Sequence, residues 1–278
     1  MVPADLSEDF ELVARFVEGL DALGIRRVVF GHVVEASGME GPIIAARVDK
    51  VRELIRERTG GLAGTGVDCE VRVSTGDDPA RELLAMASES HVGAVVMGTH
   101  GRKGPLAKLI ERSVSEEVVW HASVPVMLVR HDLLRIREHP AELARGFGRQ
   151  VIIPVDFSAS STRAYMTVLE LPPASIGTVY LLHSLDPLLS GSALKRAEQG
   201  AEFQLRNMAK MAEESKITVR PVIRQGDAAK VTLKETDARR ATGIVAGTRG
   251  INPIAKAVLG SVSMTLIRQA SCPVMIVP

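Results

Sequence analysis

The chain repeats itself. "MVPADLSED" at residues 1–9 matches "IIPVDFSAS" at 152–160, which pairs Pro3 with Pro154 and Asp5 with Asp156 at an offset of 151. "VVFGHVVE" matches "VYLLHSLD" at the same offset, pairing His32 with His183. "VRVSTGD" and "PVIRQGD" follow at 150, "AVVMGTHG" and "GIVAGTRG" at 149, and "HASVPVMLV" and "QASCPVMIV" at 148. Five landmarks in one order, with so small a drift, mean a tandem duplication of a unit of about 140 residues, the size of a single domain and too long for a solenoid repeat. The expected domains are 1–130 and 150–278. Residues 131–149, "HDLLRIREHPAELARGFGR", have no counterpart in either copy and set Pro140, Gly146 and Gly148 among charged residues. They are expected to form a linker, with room for a helix in "LLRIREHPAEL".

Within each copy, short apolar runs alternate with longer amphipathic segments. In the second copy "VIIPVDF", "TVYLLHSL", "TVRPVIRQG", "GIVAGT" and "PVMIVP" read as strands. Helices are expected over 159–171, 192–214, 228–241 and from Pro253 to Ala270. Ile254, Val258, Val262 and Leu266 recur every fourth residue, as one buried helix face requires, and Pro253 suits a first helical turn. β-Branched runs alternating with helices imply parallel strands covered on both faces. The fold class is therefore α/β, two tandem doubly wound domains, each with a five-stranded parallel sheet.

Composition narrows the partners. A net charge of +1 gives no electrostatic reason to expect nucleic acid or an anionic membrane, and 3% aromatic residues argue against base stacking on a single strand. Cys69 and Cys272 lie in different copies without a CxxC partner, which fits a reducing compartment and neither a disulfide framework nor a zinc site. No signal-like or membrane-spanning apolar run is present. A cytoplasmic protein is expected.

In an open parallel sheet, ligands bind at the carboxyl ends of the strands where the strand order reverses. If strands 1 and 4 of a copy flank that point, Asp156 and Gly247–Gly250 converge. Glycines let backbone N–H groups approach phosphate oxygens, and the following helix start adds donors and partial positive charge. Ser261 and Ser263 offer hydroxyls, Asp156 an acceptor for sugar hydroxyls, and Gly226 marks the end of the third strand. Two readings stay open, because any strand-to-helix turn favours glycine and Asp156 with Ser158 also forms a helix N-cap pattern. His32 and His183 close apolar strands and are expected to bond locally. His100 faces Arg249 in the other copy, so it carries no shared metal or acid–base role.

The combination of "PVDFS", "LLHSLD", "GTRG" with nine residues before "GSV", and "ASCPVMIVP" closely resembles the universal stress protein family. The resemblance covers both copies. It implies a Rossmann-like sheet of strand order 3-2-1-4-5 and, for the nucleotide-binding branch, ATP (or AMP or ADP, with or without Mg2+), homodimers and an unidentified protein partner. The branch signature, G-x-x-G, nine residues, then G-[ST], is complete in the second copy as Gly247, Gly250 and Gly260–Ser261. Carried over by position, Asp156 contacts ribose and Pro154 and Val155 line the adenine end. Ser184 stands in place of a usual valine and Ala246 precedes the turn. Gly247, Thr248, Arg249 and Gly250 wrap the phosphates, and Gly260, Ser261, Val262 and Ser263 close over them.

The first copy keeps Pro3, Asp5, Val33, Met97, Gly98, Gly101, Ser113 and Ser115 but has Arg112 where glycine is expected, after ten residues rather than nine. Arg112 either grips a phosphate or obstructs the backbone approach, and obstruction is the expectation. Val33 and Met97 make a better apolar adenine wall than Ser184 and Ala246. The leading function is thus a stress-response protein that binds adenine nucleotide chiefly in the second copy. The alternative is a nucleotide-free dimerisation or interaction scaffold. Neither glycine turn supplies the Lys-Ser/Thr pair of a Walker motif, no nucleophile elbow appears, and no catalytic residue or metal ligand is assigned, so at most slow ATP hydrolysis is expected.

Overall fold

The computed structural model of the chain describes residues 1–62, 67–99, 114–248 and 260–278. It divides into two compact units, Met1–Ala144 and Arg145–Pro278.

In the first unit, β1 (Val2–Pro3), β2 (Arg27–Val34) and β3 (Asp68–Thr75) form a parallel ladder. β4 (Val95–Thr99) pairs in parallel with β5 (Val126–Arg130), and the Val96 amide donates to the Met1 carbonyl at 2.8 Å, bringing β4 beside β1. The order is β3-β2-β1-β4-β5. α1 (Phe10–Glu18), α2 (Gly41–Thr59), α3 (Pro79–Glu89) and α4 (Val114–His121) alternate with the strands. In the second unit, β6 (Gln150–Pro154), α7 (Ala159–Leu169), β7 (Thr178–Leu185), α8 (Gly191–Lys210), β8 (Thr218–Gln225), α9 (Ala228–Arg239), β9 (Gly243–Gly247), α10 (Ser261–Gln269) and β10 (Val274–Val277) repeat the pattern. Its ladder runs β8-β7-β6-β9-β10, all parallel. Both units thus have the order 3-2-1-4-5 with the reversal between the first and fourth strands. The helix expected from Pro253 is described from Ser261 onward, and residues 253–259 lie outside the described residues.

Local signals explain the boundaries. Asp78 and Asp227 accept from the amides of Arg81 (3.1 Å) and Lys230 (2.9 Å), capping α3 and α9. Ser158 does the same for α7 through Ser161 at 3.2 Å. Gly226 leaves β8 with φ +142°, a conformation open to glycine alone, while its amide donates to Leu185. Phe10 and Phe30 meet edge to face at 5.9 Å in the first core. Ile152, Tyr180, Leu182 and Val222 pack together in the second, with Arg239 lying 4.4 Å over the Tyr180 ring.

The stretch expected to be a linker is divided between the units. α5 (His131–Arg135) and α6 (Pro140–Arg145) follow β5 directly. His131 and Leu134 are buried, and a Cβ on Gly19 would lie 1.9 Å from the Ala141 carbonyl oxygen. Residues 131–144 therefore pack as part of the first unit.

Cys272 is buried, and burial together with the nearby Asp237 charge pushes its thiol up to about 12. Cys69 is exposed. A thiol reagent is expected to label Cys69 in the native protein and Cys272 only on unfolding, so Cys272 labelling reports the opening of the second unit. Equal rates at both would contradict this core.

Candidate functional site

At the strand-order reversal of the second unit, Pro154, Val155 and Asp156 leave β6 beside Ala246, Gly247 and Thr248 leaving β9. Val155 and Ala246 are buried. The Val155 amide donates to Leu182 at 2.8 Å and its carbonyl accepts from His183 Nδ1 at 2.7 Å, so His183 serves as a clamp between β7 and the end of β6. The His183 ring also stacks on Phe157, with centroids 4.5 Å apart. Phe157 has φ +65°, and Asp156 Oδ1 bridges it by accepting from the Ser158 amide at 3.0 Å. The same device recurs in the first unit. Leu6 has φ +58°, Asp5 Oδ1 accepts from the Ser7 amide at 3.0 Å, and His32 Nδ1 donates to the Ala4 carbonyl. A left-handed non-glycine residue costs roughly 1–3 kcal/mol, and both units hold one at the same place on the crevice rim.

The turn after β9 is tied at its foot. The Gly260 amide donates to the Thr248 carbonyl at 2.8 Å, and the Ser263 hydroxyl donates to the Gly247 carbonyl at 2.7 Å. Arg249 and Gly250 lie outside the described residues. Gly247 sits against α7, where a Cβ would meet Ser160 Oγ at 2.2 Å and the Ser160 backbone at 2.7 Å. Gly260 is the N-cap of α10, and the amides of Ser261, Val262 and Ser263 form its first turn, which contains no acidic residue. An uncapped helix start of this kind presents donors and partial positive charge to an anion. Ser261 is exposed, Val262 and Ser184 half-buried, and Ser263 buried with its hydroxyl already bracing the turn.

In the first unit, Pro3, Asp5, Val33, Met97, Gly98 and Ser115 line one cavity of about 320 Å³. Gly101, Arg112 and Ser113 lie outside the described residues. The cavity also takes in His131, from the stretch expected to be a linker. A Cβ on Gly98 would stand 2.0 Å from His131 Nε2, so the imidazole covers the first glycine of this turn. Its Nδ1 lies 3.2 Å from Asp9, whose carboxylate also takes two bonds from Arg135 at 2.8 and 2.7 Å. Asp9 corresponds to Ser160 at the offset of 151. Glu116 and Glu117 of α4 correspond to Met264 and Thr265 of α10 at the offset of 148.

The Universal stress protein family profile matches residues 1–130 and again 148–278. The chain belongs to the universal stress protein family. Universal stress protein Sll1388 of Synechocystis sp. is 30% identical over 130 residues, 47% of this chain and 75% of that protein. Universal stress protein MJ0531 of Methanocaldococcus jannaschii is 28% identical over 141 residues, 46% of this chain and 81% of that protein. A universal stress protein from Archaeoglobus fulgidus aligns in structure over 100% of this chain and 95% of its own, with a TM-score of 0.76 at 23% identity, so the two share the tandem fold. Among the described residues no helix is long and apolar enough to cross a membrane.

Proposed function

We propose that this universal stress protein is a cytoplasmic stress-response protein that binds an adenine nucleotide, ATP foremost, chiefly in its second unit. The observation that carries the reading is the start of α10. Gly260 and a first turn free of carboxylates stand at the foot of the glycine turn, beside the ends of β6 and β9. Asp156 would hold the ribose and the amides of Gly260–Ser263 the terminal phosphates, with Val155 and Ala246 against the base.

The first unit supports the asymmetry. Its cavity of about 320 Å³ is at the lower end of the range of about 300–1,000 Å³ for small-molecule sites, enough for a nucleoside. Its phosphate end carries His131, which Asp9 holds in place over Gly98, so the imidazole occupies the approach to the first glycine of the turn. Titration calorimetry of the full chain with ATP is expected to give one equivalent, lost in Asp156→Ala and retained in Asp5→Ala. No heat at millimolar nucleotide, or loss in Asp5→Ala alone, overturns the reading. ADP and AMP competition ranks the nucleotides.

One observation favours the second reading, a scaffold without nucleotide: Asp156 and Ser263 both brace their own turns. Native mass spectrometry of the protein as purified separates the two, since a scaffold carries no co-purifying nucleotide and gains none on ATP addition.

A further inference from the structure

The two sheets end on equivalent edge strands, of which only the second carries a proline. Among the described residues, β3 pairs with β2 alone and β8 with β7 alone. The Asp68 and Gly76 amides donate to Arg26 and Val34, and Gly226 donates to Leu185. Strand amides alternate sides with a period of two. Those of Cys69, Val71 and Val73 therefore point away from the sheet, and so does position 221 in β8. Position 221 is proline, which has no amide to offer and blunts the edge. Phe30 pairs with Val71 as Leu181 pairs with Pro221, so the equivalent position in the first unit keeps its donor. Val71 and Val73 are only half-buried, and a groove of about 300 Å³ beside them is lined by Arg52 of α2 and Glu82 and Glu89 of α3.

We propose that β3 is a dimerisation edge, pairing antiparallel with β3 of a second copy of this chain about a two-fold axis through Val71. In that register Val71 faces Val71 of the other copy, and Cys69 faces Val73, each a pair exchanging both outward hydrogen bonds. Glu70 then stands opposite Arg72 on the shared face. Within one chain Glu70 already accepts from Arg72 at 2.6 Å and from Arg27 at 2.5 Å, and the two arginines hold its carboxyl below the usual range, so it is charged. The seam becomes a checkerboard of opposite charges, which cross-strand pairs reward. The groove carries both signs, so it favours neither an acidic nor a basic peptide. The strand's own sequence is self-complementary, as an isologous interface requires.

Sedimentation equilibrium of the full chain tests this. The wild type is expected to show a weak monomer–dimer equilibrium, as the small area of a single strand pair dictates. Val71→Pro, which copies the second unit's own residue, is expected to leave only monomer. Glu70→Arg and Arg72→Glu are each expected to be monomeric alone and to form a heterodimer when mixed, because each repels itself and complements the other. Circular dichroism checks that each variant is folded, and the mixture restores dimer only if both are. A wild type that stays monomeric, a Val71→Pro protein with the wild-type mass, or a mixture that forms no dimer overturns the proposal.

Discussion

Gly247→Ala is expected to destabilise the second unit by about 2–3 kcal/mol, whether or not nucleotide is present, as overpacking against a fixed neighbour does. The new methyl would meet Ser160 Oγ at 2.2 Å and its backbone at 2.7 and 2.8 Å. A hydroxyl can rotate away, but the Ser160 backbone is in α7, which is anchored by the Ser158 cap and by the buried Tyr165 and Val168. Relief requires the helix to lift from β9. Denaturant unfolding followed by Cys272 labelling measures the loss, and an unchanged midpoint refutes it. This first glycine of the phosphate signature is thus demanded by helix–strand packing alone. Its replacement says nothing about binding.

Gly260→Arg is the informative substitution. It transplants the residue of the first copy, Arg112, to a position with φ −58° and ψ 144°, which any residue adopts. The unit's stability is expected to be retained. ATP binding is expected to fall at least tenfold, about 1.4 kcal/mol, because a side chain now stands where backbone amides would approach phosphate. Titration calorimetry beside a thermal melt separates the two effects. Tighter binding would mean that the guanidinium grips the phosphates, and it would overturn obstruction as the reason the copies differ. Arg112→Gly is expected not to confer matching affinity on the first unit, since His131 still covers Gly98.

Much of this was legible in the sequence because the duplication let each copy vouch for the other. The strand read from "TVYLLHSL" is β7 residue for residue, while the alternation of elements implied only parallel strands and the strand order came with the family resemblance. What stayed hidden was long-range or lacked a second copy. His131 sits in a stretch with no counterpart, so nothing signalled that it would cover Gly98 or meet Asp9, 122 residues earlier in the chain. Charge near "HDLLRIREHP" looked like a solvated linker, whereas Arg135 is spent on the buried Asp9. Pro221 against Val71 was visible, yet it gains meaning only once β3 and β8 are known to be edges.

The pair of bonds at the foot of the second glycine turn bears on how such proteins diversify. Gly260 to Thr248 and Ser263 to Gly247 fasten the two ends of the eleven-residue segment 249–259 independently of what lies between them. Closure entropy grows only as the logarithm of length, so one added residue costs under about 0.1 kcal/mol. An insertion between the two bonds is therefore expected to leave the sheet ladder intact. The first copy, one residue longer in this interval, is such an insertion already made, and ligand preference can drift there while the scaffold stays put.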